Sequence, residues 1–145
     1  MKNTRFYRYL AALDLEEKEG LDSFVGNSVL NQDRVAAQLL RSISEAGWEE
    51  GLEGLDREDL FRRAFPDKAM TANQQRVVMS RLLDLVRDFM AFTEFQKDKI
   101  LQDQMLLRAH QRRRLDRDFP AVYARATTRL EALPRRADWY RDRMV

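Results

Sequence analysis

Apolar side chains recur every three or four residues along most of this chain, and this spacing constrains its fold more than any other feature. Phe6, Leu10 and Leu13 follow it near the start, and Leu82 and Val86 follow it in the middle. Such spacing places apolar groups on one face of an α-helix. A half-buried strand needs strict alternation instead, which no stretch longer than a few residues shows. The pattern therefore predicts an all-α protein.

Capping and stopping residues divide this pattern into about seven helices. Residues that commonly cap helix N-termini precede five of the predicted helices: Asp14, Asn31, Asp56, Thr71 and Asp118. Asp14 and Thr71 are followed three residues later by Glu or Gln, as in a capping box. The acidic segment 47–54 contains three glycines and is expected to be a loop. We expect helices over residues 4–13, 14–26, 31–46, 56–65, 71–92, 94–114 and 118–133, and a last one over 136–144.

Short turns between long helices are typical of an antiparallel helical bundle or of the beginning of an α-solenoid. We expect residues 1–145 to form one helical domain, with an N-terminal helical cluster over 1–54 and longer antiparallel helices over 55–145. All five glycines lie in the first of these two segments. No C-capping glycine follows the helix over 136–144, so we expect the chain to be the N-terminal part of a longer protein.

The residues that most chemistry requires are scarce in this chain. It has no cysteine and a single histidine, His110, which lies among arginines. Thiolate or histidine-based metal sites and cysteine nucleophiles are thereby excluded, and positive neighbours disfavour the imidazolium that a general base must become. No glycine-rich phosphate-binding motif occurs. We therefore expect no enzymatic activity, no cofactor and no metal. The absence of cysteine and of an apolar leader at the N-terminus predicts a cytoplasmic protein that does not enter membranes.

Charge is distributed unevenly along the chain. Residues 1–72 hold 10 Lys and Arg against 14 Asp and Glu, whereas residues 73–145 hold 16 against 10, which gives net charges of −4 and +6. The densest basic segment is an arginine cluster that we interpret as a contact for an anionic partner: Arg108, Arg112, Arg113, Arg114 and Arg117. The alternative is a solvated surface in which Asp116 and Asp118 pair with these arginines.

Two functions are compatible with this cluster. The first is a non-enzymatic protein-interaction or scaffold module, and the second is a nucleic-acid-binding module that contacts phosphates through an arginine-rich face. The second function could also use Arg76, Arg81 and Arg87 on the predicted helix 71–92, although Asp84 and Asp88 share that face and would repel phosphate. Aromatic residues at 139 and 140 favour self-association if they lie uncovered. The set Phe89, Phe92 and Phe95 is expected to lie in the core.

Two resemblances accompany these patterns. Leucine and aromatic spacing makes the chain similar to an uncharacterised family of long all-helical bacterial proteins, in particular over Asp56–Phe61, Phe65–Pro66, Met79–Leu85, Phe89–Met90, Leu106–Arg108 and Arg112–Asp116. This resemblance implies pairs of helices and assigns no activity and no functional residues. Residues 56–92 also resemble the winged helix of bacterial transcription activators, through the Pro66-Asp67 turn and the Arg76-x-x-x-Ser80-Arg81-Leu82 motif. That second resemblance implies a β-hairpin after the motif.

Overall fold

A computed structural model describes residues 1–2, 4–27 and 33–133 of the chain. All the regular secondary structure in these ranges is helical, so the prediction of an all-α helical bundle is confirmed for them. The eight helices that they contain are α1 (Arg5–Ala11), α2 (Leu15–Gly26), α3 (Arg34–Glu45), α4 (Trp48–Leu52), α5 (Arg57–Ala64), α6 (Ala72–Lys97), α7 (Lys99–Arg112) and α8 (Phe119–Glu131). The expected helix 136–144, with Trp139 and Tyr140, lies outside the described residues, as does Asn31.

Local capping accounts for most helix starts. Asp14 accepts from the amide of Glu17, whose carboxylate accepts from the Asp14 amide in return. Thr71 and Gln74 form the same reciprocal pair at the start of α6. The N-cap of α3 is Asp33, two residues after the predicted Asn31, because the Asp33 carboxylate accepts from the amide of residue 36. Asp118 precedes α8 as predicted, but its side chain makes no capping hydrogen bond.

The predicted loop over 47–54 is wrong, because this segment contains the short helix α4. Gly47 supplies the left-handed backbone conformation that turns the chain after α3, with φ at 101°. Trp48 and Leu52 then lie one helical turn apart, so both reach the core, where Leu52 is fully buried and Trp48 is partly buried. The burial of this apolar edge outweighs the low helix propensity of the glycines around it.

The boundary between α6 and α7 lies at Asp98, whereas the sequence predicted a break near residue 93. Helix α6 continues to Lys97 because no proline or glycine interrupts it. The Asp98 carboxylate then accepts from the Leu101 amide and begins α7. The Gln102 side-chain amide donates to the carbonyl oxygens of Phe95 and Gln96, at 2.8 and 2.7 Å, and so satisfies acceptors that the end of α6 leaves free.

The chain divides into two compact units, Met1–Ala91 and Phe92–Val145, whereas the sequence-based subdivision lay at residue 54. The first unit holds a large apolar core in which α3 is central. Its inward face is fully buried and packs against α2, α4 and α5. Helix α6 adds its own stripe to this core, formed by Val78, Leu82, Val86 and Phe89. The first unit therefore has the core expected of a folded domain.

Polar contacts connect α4 to the two N-terminal helices. Lys18 of α2 and Glu49 form an ion pair at 2.6 Å that is largely shielded from water. The Tyr7 hydroxyl of α1 donates to Glu53, just after α4, at 2.8 Å. This hydrogen bond to a carboxylate raises the pKa of the Tyr7 phenol. Carboxylates at both ends of α4 are thus bound by side chains of α1 and α2.

The second unit, described from Phe92 to Leu133, buries little. Ile100 and Asp103 are its only buried residues in that range, and α8 contributes none. Apolar residues recur along α8 at helical spacing, a pattern that predicts a buried face, but they lie largely outside the core of the described structure, with Tyr123 and Leu130 exposed. The expected core position of Phe92 is likewise wrong, since 38% of its surface is exposed, whereas Phe89 is buried as predicted.

One strong polar contact joins α7 to α8. The Arg129 guanidinium donates through Nη1 to both carboxylate oxygens of Asp103, at 2.9 and 2.8 Å. The same nitrogen lies 3.3 Å from the carbonyl oxygen of Lys99. Helices α7 and α8 also pack directly on each other, so this ion pair acts together with their packing.

Candidate functional site

The predicted arginine cluster occupies the end of α7 and the connection to α8, and we call it the arginine turn (Arg108, Arg112, Arg113, Arg114 and Arg117). Helix α7 closes with a Schellman motif. In this motif the Leu115 amide donates to the carbonyl of His110 at 3.0 Å, and the Arg114 amide donates to that of Gln111 at 3.2 Å. The motif projects successive arginines from the end of the helix and from the turn that follows.

Arg114 occupies a backbone conformation that favours glycine. Its φ is 53°, in the left-handed region, where a side chain with a Cβ costs roughly 1–2 kcal/mol. Glycine is the usual residue at this position of a Schellman motif. An arginine here is therefore less favourable for the local backbone than a glycine would be.

All five side chains of the arginine turn are exposed. Within the described residues, no carboxylate oxygen lies at ion-pair distance from any of them, and this includes the nearby Asp116 and Asp118. In the described part of the chain, the one hydrogen bond that these guanidinium groups make is from Arg113 to the carbonyl of Ala109, at 3.4 Å. Within the described ranges, the charges of this turn are therefore not neutralised by carboxylates.

Exposed apolar side chains lie on the same two helices and in the turn between them. Leu106 is 37% exposed, Leu115 is 43% exposed and Tyr123 is 56% exposed. The Tyr123 ring stacks on Phe119, with ring centroids 6.0 Å apart. Sequence periodicity does not reveal these exposed residues, because an apolar residue at helical spacing is expected to face the core. Leu115 follows Arg114 and precedes Asp116, and it belongs to no helical stripe. An apolar residue in such a charged segment is the signal that could have identified it.

The alternative set of arginines on α6 is not a single basic surface. Arg81 pairs with Asp33 at 3.7 Å, and Arg87 pairs with Asp84 at 3.6 Å. Arg87 also lies 5.2 Å from the centre of the Tyr9 ring. Its Nε donates to the hydroxyl of that tyrosine at 3.3 Å, which raises the pKa of the guanidinium further.

Arg76, the third member of that set, has a different environment. It is exposed and has no ion-pair partner among the described residues, and it lines a groove of the first unit. The structure therefore does not present the three arginines as equivalent contacts. Two of them already interact with residues of their own unit.

The described ranges lack the features of two other site classes. His, Asp and Glu residues form no group of three that could hold a metal ion there. None of the helices in these ranges combines the length and the apolar character that a membrane span requires.

The chain was compared with protein-family models, with curated proteins and with solved structures. No family model matches it, and no curated protein or solved structure shows significant similarity to it. Functional inference consequently rests on the side chains themselves.

Proposed function

We propose that this protein is a non-enzymatic protein-interaction module that binds an acidic segment of a partner protein through the arginine turn. The observation that carries the proposal is the combination of five exposed arginines that have no carboxylate partner among the described residues and exposed leucines on the same segment. Arginine and aromatic residues are enriched where proteins bind each other, because both contribute strongly when they are desolvated. The left-handed Arg114 supports the same proposal, since local stability alone favours glycine there.

A protein partner is favoured over nucleic acid, the second candidate. Nucleic-acid affinity comes mainly from neutralised phosphates. Asp116 and Asp118 in the same turn would repel a phosphate and a partner carboxylate alike, so the choice between the two partners depends on the apolar residues beside the arginines. The exposed Leu115 would gain nothing from a phosphate backbone but would be covered by an apolar side chain of a protein. On α6, the ion pairs of Arg81 and Arg87 would have to be broken before those residues could bind phosphate.

The remaining elements of the proposal follow from composition. A chain without cysteine and with one histidine offers few groups for nucleophilic or acid–base catalysis, which supports a binding role. The same absence of cysteine fits a partner encountered in the reducing cytoplasm.

The proposal is tested with probes of defined chemistry. Fluorescence anisotropy would measure binding of a labelled peptide in which Glu alternates with Leu and Tyr, and of labelled duplex and single-stranded DNA. The variant Arg112→Glu/Arg113→Glu should weaken peptide binding about tenfold or more, because loss of a hydrogen-bonded interfacial charge pair costs about 2 kcal/mol or more. The matched control is Arg62→Glu/Arg63→Glu, an exposed pair in the last turn of α5 that carries the same change of charge.

Equal loss in the control would show that only net charge matters and would contradict the proposal. Retention of DNA at ~50 mM salt with a steep salt dependence, without peptide binding, would replace it with the nucleic-acid function. A second variant, Arg114→Gly, separates binding from folding. It should stabilise the fold by roughly 1 kcal/mol, since glycine removes the cost of the left-handed backbone, and yet weaken peptide binding.

A further inference from the structure

A groove in the first unit lies far along the sequence from the arginine turn and has a different character. We call it the basic-rimmed groove. It is lined by the start of α1, by residues at the start of α5 and by one face of α6, and its volume is about 610 Å³. Its lining includes Met1, Arg5, Phe6, Arg57, Arg76, Met79 and Leu83.

The floor of the groove is apolar. Phe6 is buried, and Met79 and Leu83 are half-buried residues one turn apart on α6 that pack against the core. Met1 also packs against this core, and its amino group donates to the carbonyl of Leu55 at 2.9 Å. Methionine side chains are flexible and polarizable, so a floor with two of them can adjust to the side chains that it covers.

The rim of the groove is positively charged. Arg5 and Arg76 are exposed and make no ion pair within the described residues. Arg57 donates through Nε to the side-chain oxygen of Gln75 at 3.0 Å. The one carboxylate that lines the groove is Asp56, and one of its oxygens already accepts from the Asp59 amide at 2.8 Å. The groove therefore combines an apolar floor with a net positive rim.

We infer that the basic-rimmed groove binds a short amphipathic helix of a partner protein, with an apolar stripe flanked by Glu and Asp. An apolar stripe at positions i, i+3, i+4 and i+7 would cover the floor residues, and the acidic flanks would meet Arg5 and Arg76. This is the helix-in-groove mode of recognition. Charge complementarity selects an acidic helix over a basic one, since a basic helix would face at least two unpaired guanidinium groups. The inference adds a second docking surface and does not depend on the arginine turn.

The test uses two labelled synthetic peptides of identical composition. One carries Leu in a helical stripe flanked by Glu, and the other has the same residues scrambled so that no stripe forms. Fluorescence anisotropy should show binding of the striped peptide and at least about tenfold weaker binding of the scrambled one, because only the stripe can cover the apolar floor. Equal binding of the two peptides would reduce the interaction to non-specific charge attraction and would overturn the inference.

Surface variants locate the binding without disturbing the fold. Arg5→Glu/Arg76→Glu should weaken binding of the striped peptide about tenfold or more. The control Arg41→Glu changes an exposed residue of α3 that does not line the groove, and it should have little effect. Arg112→Glu/Arg113→Glu should also leave this binding unchanged, which separates the inference from the proposed function. If the arginine-turn variant abolishes binding and the groove variant does not, the peptide binds elsewhere and the inference is wrong.

Methyl NMR gives a second readout that does not depend on charge. The methyl signal of Met79 should shift on titration with the striped peptide, whereas that of Met105, on α7 in the second unit, should not move. Shifts at Met105 without shifts at Met79 would contradict the assignment of the groove.

Discussion

The ion pair between Lys18 and Glu49 offers the sharpest test of how the first unit is stabilised. The ammonium and one carboxylate oxygen lie 2.6 Å apart, and the two side chains are only 11% and 16% exposed. The other carboxylate oxygen, Glu49 Oε2, is buried and has no hydrogen-bond partner in the described structure. The substitution Lys18→Met keeps an unbranched side chain against the same surface but removes the one cation that pairs with this carboxylate among the described residues.

The expected cost follows from the burial. Removal of one member of a buried ion pair costs about 3–5 kcal/mol, because the remaining charge is left uncompensated. Both side chains keep a small access to water, so we expect the cost of Lys18→Met to lie near the lower end of this range, at about 3 kcal/mol. The double variant Lys18→Met/Glu49→Met removes both charges and should lie within about 1 kcal/mol of the wild type. The two single substitutions should therefore be strongly non-additive.

Urea unfolding followed by circular dichroism measures these differences. The control is Lys97→Met, which breaks an exposed pair with Glu94 whose side chains are 70% and 77% exposed, and it should change the free energy of unfolding by less than about 1 kcal/mol. The reasoning is refuted if Lys18→Met costs no more than this control, or if the double variant loses the full sum of the two single losses.

Two further substitutions test close packing and the attachment of α8. Gly51→Ala should destabilise the protein by roughly 1–3 kcal/mol in urea unfolding, because the new Cβ would lie 1.9 Å from the carbonyl oxygen of Ala46. The control Gly26→Ala adds a Cβ that meets nothing within 4 Å, and it should be neutral or stabilising. Equal effects of the two alanines would contradict the packing argument. Asp103→Asn should weaken the ion pair with Arg129 and raise the hydrogen-exchange rates of α8 amides about tenfold or more. Unchanged protection of these amides would show that the ion pair does not hold α8 in place.

The local signals in the sequence predicted the helices well. The capping residues Asp14 and Thr71 act within three residues of their own position, so their hydrogen bonds depend on little beyond the local chain. Predictions failed where distant burial decided the outcome. Helix α4 forms because Trp48 and Leu52 reach a core made by other helices, and no local sequence pattern indicates that this core is there.

The candidate site was predictable only in part. The five arginines of the arginine turn are visible as a run of charge, but a charge run does not reveal whether each member has a partner. Arg81 meets Asp33 across a long sequence separation, whereas the arginine turn meets no carboxylate within the described chain. The basic-rimmed groove could not be anticipated, since Arg5 and Arg76 come together only through folding.

The sequence by itself determined the helical character of this protein, because helix spacing and caps are set by side chains a few residues apart. Tertiary structure alone decided which apolar stripes are buried. The stripe of α8 has the same periodicity as that of α6, but Tyr123 and Leu130 stay exposed while Leu82 and Val86 are fully buried. Periodicity specifies only that a face can be buried. Burial also requires a second surface of matching shape, and that surface exists only once distant parts of the chain have packed together.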